Sequence, residues 1–248
     1  MFGVRSIPFC VMFVGGQPVD GFVGALPEGK IREFLDKHVP SEGEIVSEEE
    51  TMEAEEAAAA GDTETAVSKL LDALERDPSN DEARLDLIKL LLQHGQVVGA
   101  KEIFAPVAAR ASGPIPEPRV AAFGRYIEAV LGALGARPLE ALQAAIATNK
   151  RDFDARMELA YTLIAAGEFT QAMDELLEII MRDKKWNDEA ARKMYVALLE
   201  VMSKPPAKPT PAAAGAADGK PKLEIAGKHE VISNDPVIDQ YRRKLSMA

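Results

Sequence analysis

The sequence predicts a mainly α-helical chain, a helical solenoid preceded by a short α/β segment, and three observations predict it. Four glycines, Gly61, Gly95, Gly135 and Gly167, recur at intervals of 34, 40 and 32 residues, each between two stretches with apolar residues at helical spacing. The first, second and fourth are followed five positions on by Ala66, Ala100 and Ala172, where two helices have to come close. Arg76-Asp77-Pro78 and Arg182-Asp183-Lys184 then close the first and last units at equal distances from their glycines. Helix pairs repeated in this way bury their apolar faces against their neighbours and stack into a solenoid.

Taken in order, residues 1–40 read as strand, turn, strand and helix. Phe9 to Val14 is a continuous apolar run, Gly15-Gly16 turns the chain, Val19 to Gly24 returns it, and Pro27 suits the start of a helix. Residues 41–47 read as a linker and 48–203 as the repeats. The unit between Gly95 and Gly135 is irregular, because the three prolines in Gly113–Pro118 force an extended break after a helix ending near Ala111. Residues 204–232, with Pro205, Pro206, Pro209, Pro211 and an Ala/Gly run, have the composition of a disordered insertion. Within the last part, 233–248, Asp235-Pro236 opens a terminal helix over Val237 to Met247, with Arg242, Arg243 and Lys244 near its end, where the helix dipole favours cations.

Composition narrows the function. The net charge of −11 and the lack of a basic stripe argue against nucleic acid, whose phosphates require clustered cations. Eight glutamates between Glu42 and Glu56 carry much of the acidity and read as a solvated helix face. No stretch reaches the ~18 apolar residues of a membrane helix. The apolar run Ile7–Val14 contains Pro8 and lacks a small-residue cleavage site, so it does not read as a signal peptide. Cys10 is the single cysteine, which leaves no intramolecular disulfide and no cysteine-based metal site, and a reducing cytoplasm is the default compartment.

The remaining motifs carry no chemistry. Gly24 to Ile31 is one residue short of a phosphate-cradling loop, with Ile31 where a Ser or Thr would ligate magnesium. His38, His94 and His229 fall on separate elements without ligand spacing. No cofactor and no metal are therefore expected.

The repeat period resembles that of tetratricopeptide arrays. Phe2-Gly3-Val4-Arg5-Ser6-Ile7-Pro8, Gly15 to Gly24, and Leu35-Asp36-Lys37-His38 resemble the C-terminal third of a thioredoxin fold. Trp186 to Lys193 and Tyr241-Arg242-Arg243-Lys244-Leu245 are similar to the YbbN-type thioredoxin–tetratricopeptide co-chaperones, the chaperedoxins. The resemblance implies a cis Ile7-Pro8 bond in a substrate loop facing a Cys-x-x-Cys helix, a motif this sequence does not contain. It also implies that a longer form supplies the first ~70 residues of a thioredoxin domain of ordinary size. Cys10, alternating in a strand that reads as buried, is expected to be inert. Its nearness to Ile7-Pro8 makes it the one possible redox thiol.

Repeat arrays bind proteins more often than they catalyse reactions. Counting from the glycines places Thr51, Glu55, Leu85, Lys89, Met157 and Tyr161 on the groove, and only Lys89 suits a carboxylate clamp. Phe104, Leu159, Phe169 and Met173 join Met157 and Tyr161 as candidates for core or for an apolar binding face. Val237, Ile238, Tyr241 and Leu245 form a stripe on the terminal helix that, with Arg242 and Arg243, could bind a partner or cap the last repeat. The expected function is an ATP-independent holdase for unfolded clients, linked to cell redox homeostasis and the stress response. Delivery to a chaperonin is what the family resemblance implies. A thiol–disulfide oxidoreductase whose Cys-x-x-Cys lies in further sequence and a passive scaffold are the alternatives.

Overall fold

A computed structural model describes residues 7–14, 17–203 and 235–248. The Gly15-Gly16 turn, Phe2 to Ser6 and the 204–232 insertion expected from the sequence lie outside them. The described residues fall into two compact units, one ending at Ile45 and the other comprising 46–203 with 235–248.

The first unit is an antiparallel hairpin, β1 (Phe9–Val14) and β2 (Gln17–Val23), followed by α1 (Glu28–Leu35). Phe9 pairs with Val23 and Cys10 with Phe22, and the register shifts between Met12 and Phe13. The Gly24 N–H donates to the Pro8 carbonyl at 2.8 Å, which prolongs the ladder past its first pair. Helix α1 packs by the ring of Phe34, edge-on to Phe22 at 5.1 Å and to His38 at 5.2 Å. His38 Nε2 lies 2.9 Å from Asp20 Oδ2. That contact, with the Gly21 N–H, holds the Asp20 carboxyl below the usual range.

Helix α2 (Glu42–Ala59) begins inside the stretch that reads as linker. Ser41 and Glu44 form a reciprocal cap: the Glu44 N–H donates to Ser41 Oγ at 3.2 Å and the Ser41 N–H to Glu44 Oε2 at 2.7 Å. This is the capping-box pattern Ser-x-x-Glu, which satisfies backbone N–H groups at the start of a helix.

In the second unit α2 leads to α3 (Thr63–Arg76), α4 (Asp81–Gln93) and α5 (Val97–Phe104). A short 3₁₀ turn (Ala105–Val107) and α6 (Ala108–Ser112) follow. Next come α7 (Pro118–Ala133), α8 (Leu139–Thr148), α9 (Phe153–Ala165), α10 (Phe169–Arg182), α11 (Trp186–Met202) and α12 (Pro236–Met247). The repeat turns are built from backbone bonds. After Ala57-Ala58, Leu91-Leu92 and Leu163-Ile164, Gly61, Gly95 and Gly167 stand at φ of 82°, 72° and 80°. In each turn the glycine N–H and the one after it donate back three and five residues, as at Gly61→Ala58 (3.0 Å) and Asp62→Ala57 (2.9 Å). This double bond satisfies the last carbonyls of a helix and needs the left-handed region that glycine enters freely. Gly135 does not share it: its N–H reaches only Gly132, at 3.3 Å, and its φ is not positive. The third glycine of the period thus marks an ordinary helix end.

A second repeated device closes the units. The side chains of Asp77, Asn149 and Asp183 each accept from the N–H two residues on, at 2.8, 3.0 and 3.0 Å. Their carbonyls accept from Asn80, Asp152 and Trp186. The next helix is capped by Asn80 or Asp152, and four residues further a buried arginine follows, Arg84 or Arg156. The two arginines differ. Arg156 donates to the Lys150 carbonyl and pairs with Glu175 and Glu178. Arg84 has only the Ile103 and Pro78 carbonyls, and its Nε is buried without a partner.

The solenoid does not continue outward at its end. Helix α11 packs along α7 as well as α10, and α9 packs on both α7 and α10, so the four close a ring. Its centre is filled by Phe123, Tyr126, Met173, Leu176 and Leu198, and Tyr126 meets Phe169 edge-on at 5.7 Å. Helix α7 is apolar nearly all round, as a central helix has to be. It approaches α9 closely: a Cβ on Gly132 would lie 2.9 Å from the Tyr161 ring. Helix α11 opens with Asn187, Asp188 and Glu189 in the left-handed region before its right-handed run. Phe153 meets Trp186 at 6.0 Å beside that turn.

At the other end, a buried polar staple joins three helices. Asn80 accepts from the Ala83 N–H and donates to Ser47 Oγ (2.9 Å) and Thr51 Oγ1 (3.1 Å), while Ser47 donates to the Ala73 carbonyl (2.8 Å). Asp152 is only a cap, accepting from Ala155 at 3.0 Å. Asn80→Ala should therefore cost about 2–4 kcal/mol in urea unfolding, since it also strands buried hydroxyls, against about 1 kcal/mol for Asp152→Ala.

Candidate functional site

The groove positions counted from the repeat glycines are occupied by the chain itself. Thr51, Leu85 and Met157 are buried. Lys89, the one cation that suited a clamp, donates to the Val201 carbonyl at 3.5 Å. Arg119 of α7 donates to the carbonyls of Glu200 (3.2 Å) and Ser203 (2.9 Å). Two cations thus cap the C-terminus of α11, where the helix dipole and the unpaired carbonyls favour them. Leu159 and Met173 are buried, and Phe104, Tyr161 and Phe169 pack against the core. Of these residues, Phe104 also lines an open surface of the irregular unit.

The stripe on the terminal helix is likewise spent within the chain. Asp235 caps α12 by accepting from Val237 (2.8 Å) and Ile238 (3.5 Å). Ile238 and Tyr241 are buried against α10 and α11, and Leu245 packs on the same core. The Tyr195 hydroxyl donates to the Tyr241 carbonyl at 2.7 Å, and the Tyr241 hydroxyl reaches the Thr170 carbonyl and Asp174 at 3.1 Å each. Lys244 pairs with Asp174 at 2.8 Å and lies 4.1 Å from the centre of the Tyr241 ring. Val237, Arg242 and Arg243 stay exposed. Of the two roles open to this helix in the sequence, the structure shows it capping the last repeat.

In the first unit the Ile7-Pro8 peptide bond is cis, as the resemblance implied, and Ile7 is 88% exposed. Cys10 is exposed, which corrects its expected burial. Its strand partner Phe22 is covered by Phe34 of α1, but two strands and an eight-residue helix cannot cover a whole sheet face. Phe13, Val19 and Val23 are about half exposed for the same reason. Among the described residues no group of acidic, His or Cys side chains could hold a metal.

An open apolar groove lies in the irregular unit. Between α5–α6 and α7 runs a groove of about 790 Å³, walled by Phe104, Ala108 and Ala111 on one side and Gly124, Ile127 and Leu131 on the other. Arg110 fixes the far end: it grips Asp81 of α4 through two bonds (3.0 and 2.6 Å) and Glu117 ahead of α7 at 2.6 Å. Helix α7 packs on α5 and α6, and the break at Gly113–Pro118 borders the groove through Ser112 and Pro116. Counting from the glycines could not find it, since α6 follows the α4–α5 pair that Gly95 joins. The alanine-rich run Ala105–Ala111 facing Gly124 is the signal it left in the sequence.

Comparison with known proteins agrees with this geometry. Two tetratricopeptide-repeat families match, over residues 57–123 and 133–208. The chain is also 47% identical over 38 residues to thioredoxin 1 of Nostoc sp., covering 15% of this chain and 36% of that protein. It is 46% identical over 39 residues to chloroplastic thioredoxin M2 of Arabidopsis thaliana, covering 16% and 21%. Thioredoxin 2 of Chlorobaculum tepidum is 47% identical over 38 residues, covering 15% and 35%. The chain spans at most about a third of the length of these curated relatives. The chain thus combines matches to tetratricopeptide repeats with a short thioredoxin-like stretch.

Asp86 supplies a titratable group beside the filled groove. Burial, with Glu55 of α2 and Glu82 adding to it and Lys89 and Arg119 pulling against them, pushes its carboxyl up to about 6. A raised carboxyl favours the protonated fold, so stability should fall by up to ~3 kcal/mol as pH rises from about 4 to 6. Asp86→Asn should flatten that slope and raise the urea midpoint at pH 7.

Proposed function

We propose that this chain is a protein-binding co-chaperone, an ATP-independent holdase that keeps unfolded polypeptide soluble. The open apolar groove between α5–α6 and α7 carries the reading, because the other candidate faces of the repeats are closed by α11 and α12. Large side chains of an unfolded segment would enter it, and the charge of −11 would keep the complex dispersed. The half-exposed Phe13, Val19 and Val23 of the hairpin offer a second, weaker apolar surface.

Delivery to a chaperonin, cytoplasmic location and a part in redox homeostasis and stress response belong to this proposal through the family resemblance. The exposed Val237, Arg242 and Arg243 are the residues that α12 leaves for a chaperonin contact. A passive scaffold would need no such groove.

Light scattering of heat-unfolding citrate synthase without nucleotide tests the holdase. Suppression near equimolar chain, reduced at least about threefold by Leu131→Glu at the groove edge, is the expected result, a loss of about 0.7 kcal/mol or more. Aggregation that proceeds unchanged with the full chain would sink it.

The exposed Cys10 gives an oxidoreductase reading its one foothold. A single thiol can form a mixed disulfide but has no partner to resolve it. Insulin reduction coupled to a regenerating reductase should show no turnover, and sustained turnover would restore the catalytic reading.

A further inference from the structure

Helix α12 is seated lightly. Only Ile238 and Tyr241 of its side chains are buried, and it packs on α10 and α11. Residues 204–234 separate it from the end of α11. A stretch of that length can span about 100 Å, at ~3.3 Å per residue, so α12 can leave without moving another helix. Its own sequence starts and braces the helix: Asp235 accepts from the Val237 and Ile238 N–H groups, Pro236 stands in the first turn, and Arg242 pairs with Asp239 at 3.7 Å. The face beneath it is nevertheless exacting. The Tyr241 hydroxyl reaches the Thr170 carbonyl and Asp174 of α10, Lys244 donates to Asp174, and Tyr195 of α11 donates to the Tyr241 carbonyl. Covering the end of a repeat array needs apolar surface alone. Bonds of fixed direction read a pattern: an aliphatic side chain, a tyrosine three residues on, and a cation three further.

We propose that the face of α10 and α11 beneath α12 is a docking site for a helix of a partner protein, one that carries this aliphatic, tyrosine and cation pattern, and that α12 is its resident, displaceable occupant. Charge complementarity and the resident's own contacts define the partner. A displaced α12 leaves the fully buried Tyr195 hydroxyl and the Asp174 carboxylate unpaired beside an apolar floor, which is costly unless a second helix supplies the same groups. A tethered occupant is held by its effective concentration, which falls as the tether lengthens, so a partner helix with better contacts displaces it. The site shares no residue with the groove beside α6 and takes a helix rather than an unfolded client.

A fluorescein-labelled peptide of residues 235–248 is the probe, read by anisotropy against the full chain. Ile238→Asp/Tyr241→Ala in the chain disables the resident helix, and this variant should bind the peptide at least about tenfold tighter than the parent does. A Lys244→Glu peptide should bind the same variant about fivefold more weakly and recover when Asp174→Lys is added to the chain. No binding to the vacated variant, or charge reversals without effect, would overturn the proposal. Hydrogen exchange on the parent supplies a readout that no substitution disturbs: the α12 amides should exchange ahead of those of α10 and α11, and exchange in step with α10 would also overturn it. A parent dimer in static light scattering that Tyr241→Ala dissolves would give the site to α12 of a second copy and remove the partner. Citrate synthase protection enters none of these readouts, so the holdase reading can fail while the site stands, and the reverse.

Discussion

Helix α11 lies along α7, and most of the second unit depends on that contact. A repeat array exposes the apolar faces of its first helices along one concave surface, and something has to cover them or the protein becomes sticky along its length. Here α11 covers the part presented by α7. Its last carbonyls are taken by Lys89 and Arg119, which fixes how far along the groove it reaches. The left-handed turn at Asn187–Glu189 redirects the chain at the start of this return, and Trp186 against Phe153 anchors it. With the inside filled, the described residues of this unit leave an open apolar groove beside α6, where the packing is irregular.

The two halves of the array are unequal in a way that the repeat pattern hides. Arg84 and Arg156 occupy the same place in their units, yet one is matched by two carboxylates and the other by carbonyls alone. A buried guanidinium without a carboxylate keeps most of its desolvation cost. At the corresponding place α5 offers Ile103 and then runs into Pro106, so no acid is at hand. The same departure from a regular second helix that deprives Arg84 of a partner also opens the groove beside α7.

Much of this was readable from residues. The glycine period and the Ala66, Ala100 and Ala172 contacts are local consequences of turn chemistry and close packing, and the three alanines are fully buried. The cis Ile7-Pro8 bond was legible only through resemblance, since no spacing rule foretells it. The capping box Ser41-x-x-Glu44 lies in the stretch whose composition reads as linker, because the glutamate run around it lacks an apolar stripe. What could not be read was long-range: that α11 returns to α7, that Lys89 serves a helix end, and that Tyr241 turns inward to Asp174. Periodicity tells which face of a helix is buried but not what buries it.

Closure of the ring also bears on how such a chain can change over generations. An open solenoid lengthens by duplicating a unit, because each new pair needs only the neighbour beside it. Here a duplicated pair inserted between α10 and α11 would carry α11 away from α7 and leave Phe123, Tyr126 and Leu198 facing water. The number of units is therefore locked by a contact that skips one of them. Growth is left to surface loops outside the ring.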